Sequence, residues 1–355
     1  MTFFRTGMAV LATTLAPLVS AAQKPVATVP VGATPVAVAA NPVTHKAYVV
    51  NHGSASVTII DGTTHATTTI NVEDRPEGIA VNPVTNKVYV ANSGGDSVSV
   101  IDGATDAVSA TVHVGVYPQA LVVNTATDKI YVANNFAHSV TVIDGVTNAT
   151  TTIQVGQGPR AIALNPVTNK VYTVNYGSQN VTVIDGATGS TSSVEIGKHP
   201  WAIAVDPTAD KIYAVNEDSA SVTIIQGATN AATTVAVGAI PFAVDVNPAT
   251  KRAYVLSYGD DTMAVIDATT NSVRQTVNLG THPQAIAIDV QSDQIYVANQ
   301  RTASVTVIDG KTNRPATKVD VGTIPYAFAI DSSAHSIYVA NFSSNNVTVI
   351  RGPER

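Results

Sequence analysis

Two histidines, His199 and His282, stand at equivalent places in this chain, each immediately before a proline. Glu77 follows another of these prolines, and Glu217 follows a second recurring run that lies on the same side of the repeat. A histidine poised near neutral pH beside a carboxylate can act as an acid–base pair or help hold a divalent metal. These four residues are the candidates for catalysis. Around the same recurring prolines stand Arg75, Tyr117, Gln119, Arg160, Trp201, Phe242, Gln284 and Tyr326, and after a second recurring run come His52, Phe136, Tyr176, Tyr258 and Phe342. Rings, amides and a few charges are the side chains that cover and orient a bound ligand. Other chemistry is missing. With no Cys there is no thiolate nucleophile, zinc–thiolate site or iron–sulfur cluster. No G-x-S-x-G, H-E-x-x-H, EF-hand or P-loop pattern occurs. Gly156-Gln157-Gly158-Pro159-Arg160-Ala161 matches G-x-G-x-x-A, but a proline inside it and β-rich runs after it leave no helix to hold a pyrophosphate.

The elements that must position these residues repeat. The marker prolines are Pro35, Pro76, Pro118, Pro159, Pro200, Pro241, Pro283 and Pro325, spaced by 41 or 42 residues. After each come an alternating run such as Ala161-Ile162-Ala163-Leu164, an "NPVTNK"-type turn and a Tyr-centred run. A "VID"-type run, a Gly/Thr/Asn turn and a fourth β-rich run complete the unit. Short β-branched runs bounded by Gly, Pro and Asn predict four strands per unit. A period of about 40–45 residues with four strands predicts the blades of a β-propeller. In the first strand, positions two and four after the proline are small and positions three and five branched, so large faces meet small ones near the axis. Asp245 stands at position four, where every other unit has Ala or Val.

The first three runs occur eight times each. The fourth occurs seven times between them and once ahead of them all, at residues 26–31. The chain therefore ends one strand short of a blade and begins with one strand to spare. This predicts an all-β fold, a single propeller of eight four-stranded blades over residues 23–355, closed when residues 26–31 pair beside residues 347–350; seven blades plus an irregular unit is the alternative. Closure removes two sheet edges that would otherwise invite aggregation.

The Tyr-centred runs Tyr89-Val90-Ala91-Asn92, Tyr131-Val132-Ala133-Asn134, Tyr296-Val297-Ala298-Asn299 and Tyr338-Val339-Ala340-Asn341 resemble the YVTN β-propeller repeat family. The resemblance covers residues 26–350 and departs locally: Ser257 replaces the Asn, and Gln226 and Arg351 replace the Asp of "VID". It implies kinship with bacterial envelope and archaeal surface-layer proteins, and similarity to propeller lactonases and streptogramin-type lyases. Architecture follows from such a repeat; function rests on the site.

In a four-stranded meander the loops between strands four and one, and two and three, emerge on one face. That face varies from blade to blade, whereas the opposite turns are nearly constant. Of 19 Phe, Tyr and Trp residues, nine are neither in residues 1–22 nor the repeated Tyr, and eight of these fall on the variable face. Acidic residues outnumber basic ones there, which with the net charge of −6 disfavours nucleic acid. A small molecule, a glycan or an envelope protein is the expected partner. Residues 1–22 have the layout of a secretory signal peptide: Arg5, an apolar stretch of 11 residues from Ala9, then Ser20-Ala21-Ala22. No lipobox Cys follows, and no later run is long enough to span a membrane, so the expected location is periplasmic or secreted. Two functions emerge: a non-catalytic binding propeller with no cofactor, using an aromatic and acidic funnel mouth that includes Asp245, or a lactonase- or lyase-like enzyme using His199, His282, Glu77 and Glu217, in which a divalent metal would be at home.

Overall fold

An eight-bladed β-propeller is observed in the computed structural model, which describes residues 23–280 and 282–353. The expected signal segment, residues 1–22, lies outside the described residues. The strands β1 to β32 are numbered in chain order. Blade 1 is β2 (Pro35–Asn41), β3 (Lys46–Asn51), β4 (Ser56–Asp61) and β5 (Thr67–Asn71), an antiparallel meander running outward from the axis. Blades 2 to 7 repeat it. Blade 8 takes β30 (Pro325–Asp331), β31 (Ser336–Asn341) and β32 (Asn346–Arg351) from the end of the chain and its outer strand, β1 (Pro25–Pro30), from the beginning. Val29 opposite Val347 and Ala27 opposite Val349 set the register of that closure. Each marker proline opens an innermost strand, where a missing N–H is tolerated. The eight residues before those prolines all have positive φ, from Thr34 (49°) to Ile324 (53°), so the chain turns into each blade through the same left-handed step.

The core is divided among eight clusters, one at each junction between neighbouring blades. Each contains one repeated tyrosine, from Tyr48 to Tyr338, at 0–1% exposure. The small-against-branched pattern works as expected: Ala243 of blade 6 packs with Ile286 and Ile288 of blade 7. In blade 1 the turn glycine, Gly62, is wedged between its own turn and the neighbouring tyrosine: a Cβ there would meet the His45 carbonyl and lie 2.7 Å from the Tyr338 hydroxyl.

Within a blade, the buried Asn ending the Tyr-centred run donates to a hydroxyl seven residues on, at 2.9–3.0 Å in seven blades, as in Asn51 to Thr58. Blade 6 has lost both partners together: Ser257 replaces the Asn and Ala264 the hydroxyl residue. Between blades, the last residue of an innermost strand reaches the turn of the next blade. Asn41–Asn86, Asn82–Asp128, Asn124–Asn169, Asn165–Asp210 and Asn247–Asp293 make this bond at 2.7–2.9 Å. At the seam where blade 8 meets blade 1, Asp331 and His45 Nδ1 make it at 2.9 Å.

Two predictions concern that seam. Deleting residues 24–31 unpairs β32, so the truncated protein is expected to associate in sedimentation and to melt roughly 10 °C or more below the full chain; each lost kcal/mol lowers the melting point of a domain of 150–250 residues by about 2–4 °C. Unchanged melting and a monomer would refute the closure. The second concerns acid. Burial pushes the Asp331 carboxyl up, but bonds from Ser333, His45 and the Ala334 amide outweigh it and hold the group below its ordinary value. Its stabilisation is therefore present above the ordinary carboxyl pKa and lost as pH falls through the lowered folded value. Asp331→Ala should melt lower at pH 7 and show a smaller further loss than wild type on acidification below about pH 4; parallel melting curves would show the seam bond to be idle.

Candidate functional site

On the variable face, rings from blade 4 to the entry of blade 7 make one continuous arc. His199 stacks on Tyr176 with centroids 4.5 Å apart, Tyr176 meets the edge of Trp201 at 6.2 Å, and Trp201 lies 4.9 Å from Phe242. Phe242 approaches Tyr258 at 6.4 Å, and Tyr258 meets His282 at 4.5 Å. Two further pairs, Tyr117–Phe136 at 4.5 Å and Tyr326–Phe342 at 5.7 Å, stand elsewhere on the rim. The rings are less open than the sequence suggests. Phe136, packed on Tyr117 but 63% exposed, is the one ring of this face that remains open to solvent; the others are half-buried.

Beside these rings lies a cavity of about 430 Å³ lined by Val36, His52, Glu77, Gln119, Tyr326 and Phe342. Four of these follow a marker proline, so the mouth is formed by the first side chain of each innermost strand. That ring continues through Arg160, Trp201, Phe242 and the buried Gln284. Glu77 Oε1 accepts from the Tyr117 hydroxyl at 3.0 Å and from Ser93 at 3.3 Å. The Arg160 guanidinium lies 3.2 Å from the centroid of Trp201. Burial lowers its pKa, opposed by Tyr326, Glu217, Glu77 and Tyr176, which surround it. Burial likewise raises Tyr326, with Arg160 pulling it down and Glu77 pushing it up. Arg160 and Tyr326 thus share one partly desolvated patch, with Glu77 close enough for its charge to act on both.

The catalytic candidates are spread over this face. His199 Nδ1 is hydrogen-bonded to the Asp218 carboxylate. Burial, then Asp218, raise the Glu217 carboxyl, and Arg160 and His199 pull it back. His282 stands 3.8 Å from Asp261 at the far end of the arc. Glu77 belongs to the cavity and makes its bonds to Tyr117 and Ser93. Among the described residues no group of three or more His, Cys, Asp or Glu is placed to hold a metal. Arg75 is exposed on the rim near Asp74 and joins neither arc nor cavity.

Several rim carboxylates, counted in the sequence as part of an acidic surface, serve the backbone. Asp96 accepts from the Tyr117 amide at 2.9 Å, Asp260 from Ala239 at 2.6 Å and Asp261 from His282 at 2.7 Å. Asn345 does the same for Thr34 at 2.8 Å. That an Asn fills the role elsewhere was the sequence signal that these acids cap turns.

Asp245 lies away from the mouth, lower on its innermost strand and turned toward blade 7. Its two oxygens accept from its neighbour Val246 at 2.8 Å and from Ile288 of the next blade at 3.1 Å. It spans the gap between two innermost strands by satisfying an amide on each. Burial pushes its pKa up to about 6 in spite of those bonds.

No protein-family model matches the chain, and no curated protein matches it. Among solved structures it is similar to Kuenenia stuttgartiensis hydrazine synthase, at 20% identity and a TM-score of 0.63 over 90% of this chain and 95% of that one. It is also similar to the dihydro-heme d1 dehydrogenase NirN in complex with DHE, at 14% identity and a TM-score of 0.72 over 95% of this chain and 80% of that one. At these identities the likeness is one of fold, and both support the propeller.

The raised Asp245 carboxyl gives a prediction of opposite sign to that for Asp331. A carboxyl whose folded pKa lies above its unfolded value stabilises most at low pH, and the contribution is lost as pH rises through about 6. Asp245→Ala installs the residue found here in six other blades. The melting point of wild type should therefore fall more between pH 4 and pH 7 than that of the variant, and the variant should be at least as stable above pH 6. Identical pH slopes would show that Asp245 does not titrate in this range.

Proposed function

We propose that this chain is an exported, non-catalytic binding propeller that holds a small ligand in the mouth on its variable face. The observation that carries this reading is a mouth that holds, on one side, the run of six rings from His199 to His282 and, on the other, a cavity of about 430 Å³ lined by residues of blades 8, 1, 2 and 3, a volume suited to a small molecule or a short glycan rather than a broad protein contact. The repeat's resemblance to YVTN envelope proteins and the leader-like residues 1–22 support the exported location. A second reading is kept alive by one observation, the His199–Asp218 pair stacked on Tyr176. A carboxylate that fixes an imidazole is the arrangement a lyase- or lactonase-like acid–base group needs.

The test is a ligand-dependent melting screen of the chain from residue 23. The panel holds neutral sugars, ring carboxylates, divalent cations and a haem-type macrocycle, the last because one similar structure is a dihydro-heme d1 dehydrogenase in complex with DHE. A ligand that raises the melting point of wild type should fail to do so for Trp201→Ala, which is expected to lose affinity by about 2 kcal/mol or more yet still fold. Asn169→Ala on the constant face should bind as wild type does. If Trp201→Ala unfolds, or folds and binds unchanged, the arc is packing and this reading fails. Asp218→Asn, which leaves every ring of the arc in place, separates the two functions: binding without turnover should survive it, and a lyase or lactonase activity that depends on the His199–Asp218 pair should not.

A further inference from the structure

Two side chains of opposite charge, Glu77 and Arg160, stand among the eight at the centre of the mouth. Arg160 is the one arginine or lysine among the eight side chains that follow the marker prolines. Its partner in the fold is the face of Trp201, at 3.2 Å. Among the described residues it donates no hydrogen bond and has no carboxylate within ion-pair distance. Its guanidinium donors are thus engaged by no acceptor within the fold and open to the mouth, where a ligand can take them. The acids that give the rim its negative count are largely engaged: Asp96, Asp260 and Asp261 on backbone amides and Asp218 on His199.

We propose that the mouth binds a ring-bearing monocarboxylate, with Arg160 as the residue that grips the carboxylate and the neighbouring rings covering the flat body of the ligand. This rests on the binding reading above and names its ligand class. The guanidinium fork fits a planar carboxylate through two parallel hydrogen bonds. Glu77, close enough for its charge to act on Arg160, disfavours a doubly charged phosphate or sulfate ester. Tyr326, lining the cavity and also close to Arg160, supplies a hydroxyl beside the same group. An aromatic acid and a sugar acid share this chemistry.

Trp201 is the only tryptophan in the chain, so its emission reports on the group stacked over it. The experiment titrates benzoate, benzamide, glucuronate and glucose into the chain from residue 23, followed by Trp201 emission and by calorimetry. At least one acid is expected to bind saturably and at least tenfold tighter than its neutral counterpart, and to weaken as salt is added. Benzoate alone would identify an aromatic acid as the ligand, glucuronate alone a sugar acid. Arg160→Gln should lose at least tenfold for that acid while melting as wild type does, and Arg160→Lys, keeping the charge but not the fork, should fall between. Acid and neutral compound binding equally, neither acid binding, or Arg160→Gln binding as wild type does would each overturn the proposal. Should neutral ligands of the melting screen bind and be lost in Trp201→Ala but not in Arg160→Gln, the binding mouth stands and the carboxylate inference alone falls.

Discussion

Each blade has two apolar faces and can cover them only with its neighbours, so no blade is complete until the ring is closed. The eight core clusters sit at junctions rather than within blades, and each is organised by one buried tyrosine. That constraint fixes much else: small residues opposite branched ones near the axis, and a first strand that must travel to the last blade. Repeat arrays of the open kind end in polar caps. Here the N-terminal strand takes that place by finishing the ring.

The two faces divide the labour. On the constant face, side-chain bonds tie the end of one innermost strand to the turn of the next blade, five of them through Asn donors and the seam through Asp331 and His45. The remaining junctions place Asp206 with Lys251 and Asp289 with His335 at the same positions. With the ring held from below, the loops above are free of that duty and vary. Even there the backbone is constant, since every blade enters its proline through a left-handed residue. What varies is the side chain presented after it, which makes the mouth a composite of eight independent choices.

Electrostatics at the mouth depends on which charges are already employed. An Asp that caps a turn amide contributes little to a ligand, whereas a guanidinium lying on an indole with no acceptor in reach is available. Asp245 belongs to the first kind. Its position interrupts a line of alanines, yet its oxygens serve two strand amides, and its role is to join blades 6 and 7.

The sequence by itself determined the architecture. Period, strand count, blade number and the closing strand were all legible because a repeat displays its own alignment: each residue type could be compared with seven counterparts. The division into a constant and a variable face was legible for the same reason, as was the oddity of Asp245. The convergence of the site was not. Glu77, Arg160 and Tyr326 are separated by 83 and 166 residues in the chain, and nothing in a linear repeat says which blades' side chains lean toward one another across an axis. A count of acids also misjudged Asp96, Asp260 and Asp261, which are spent on amides; the Asn345 that stands in for them in blade 8 was the hint, but which amide each meets depends on how adjacent loops approach. Placement around the ring follows from local spacing; contact across it follows from side-chain reach and direction, and only the closed tertiary structure decides those.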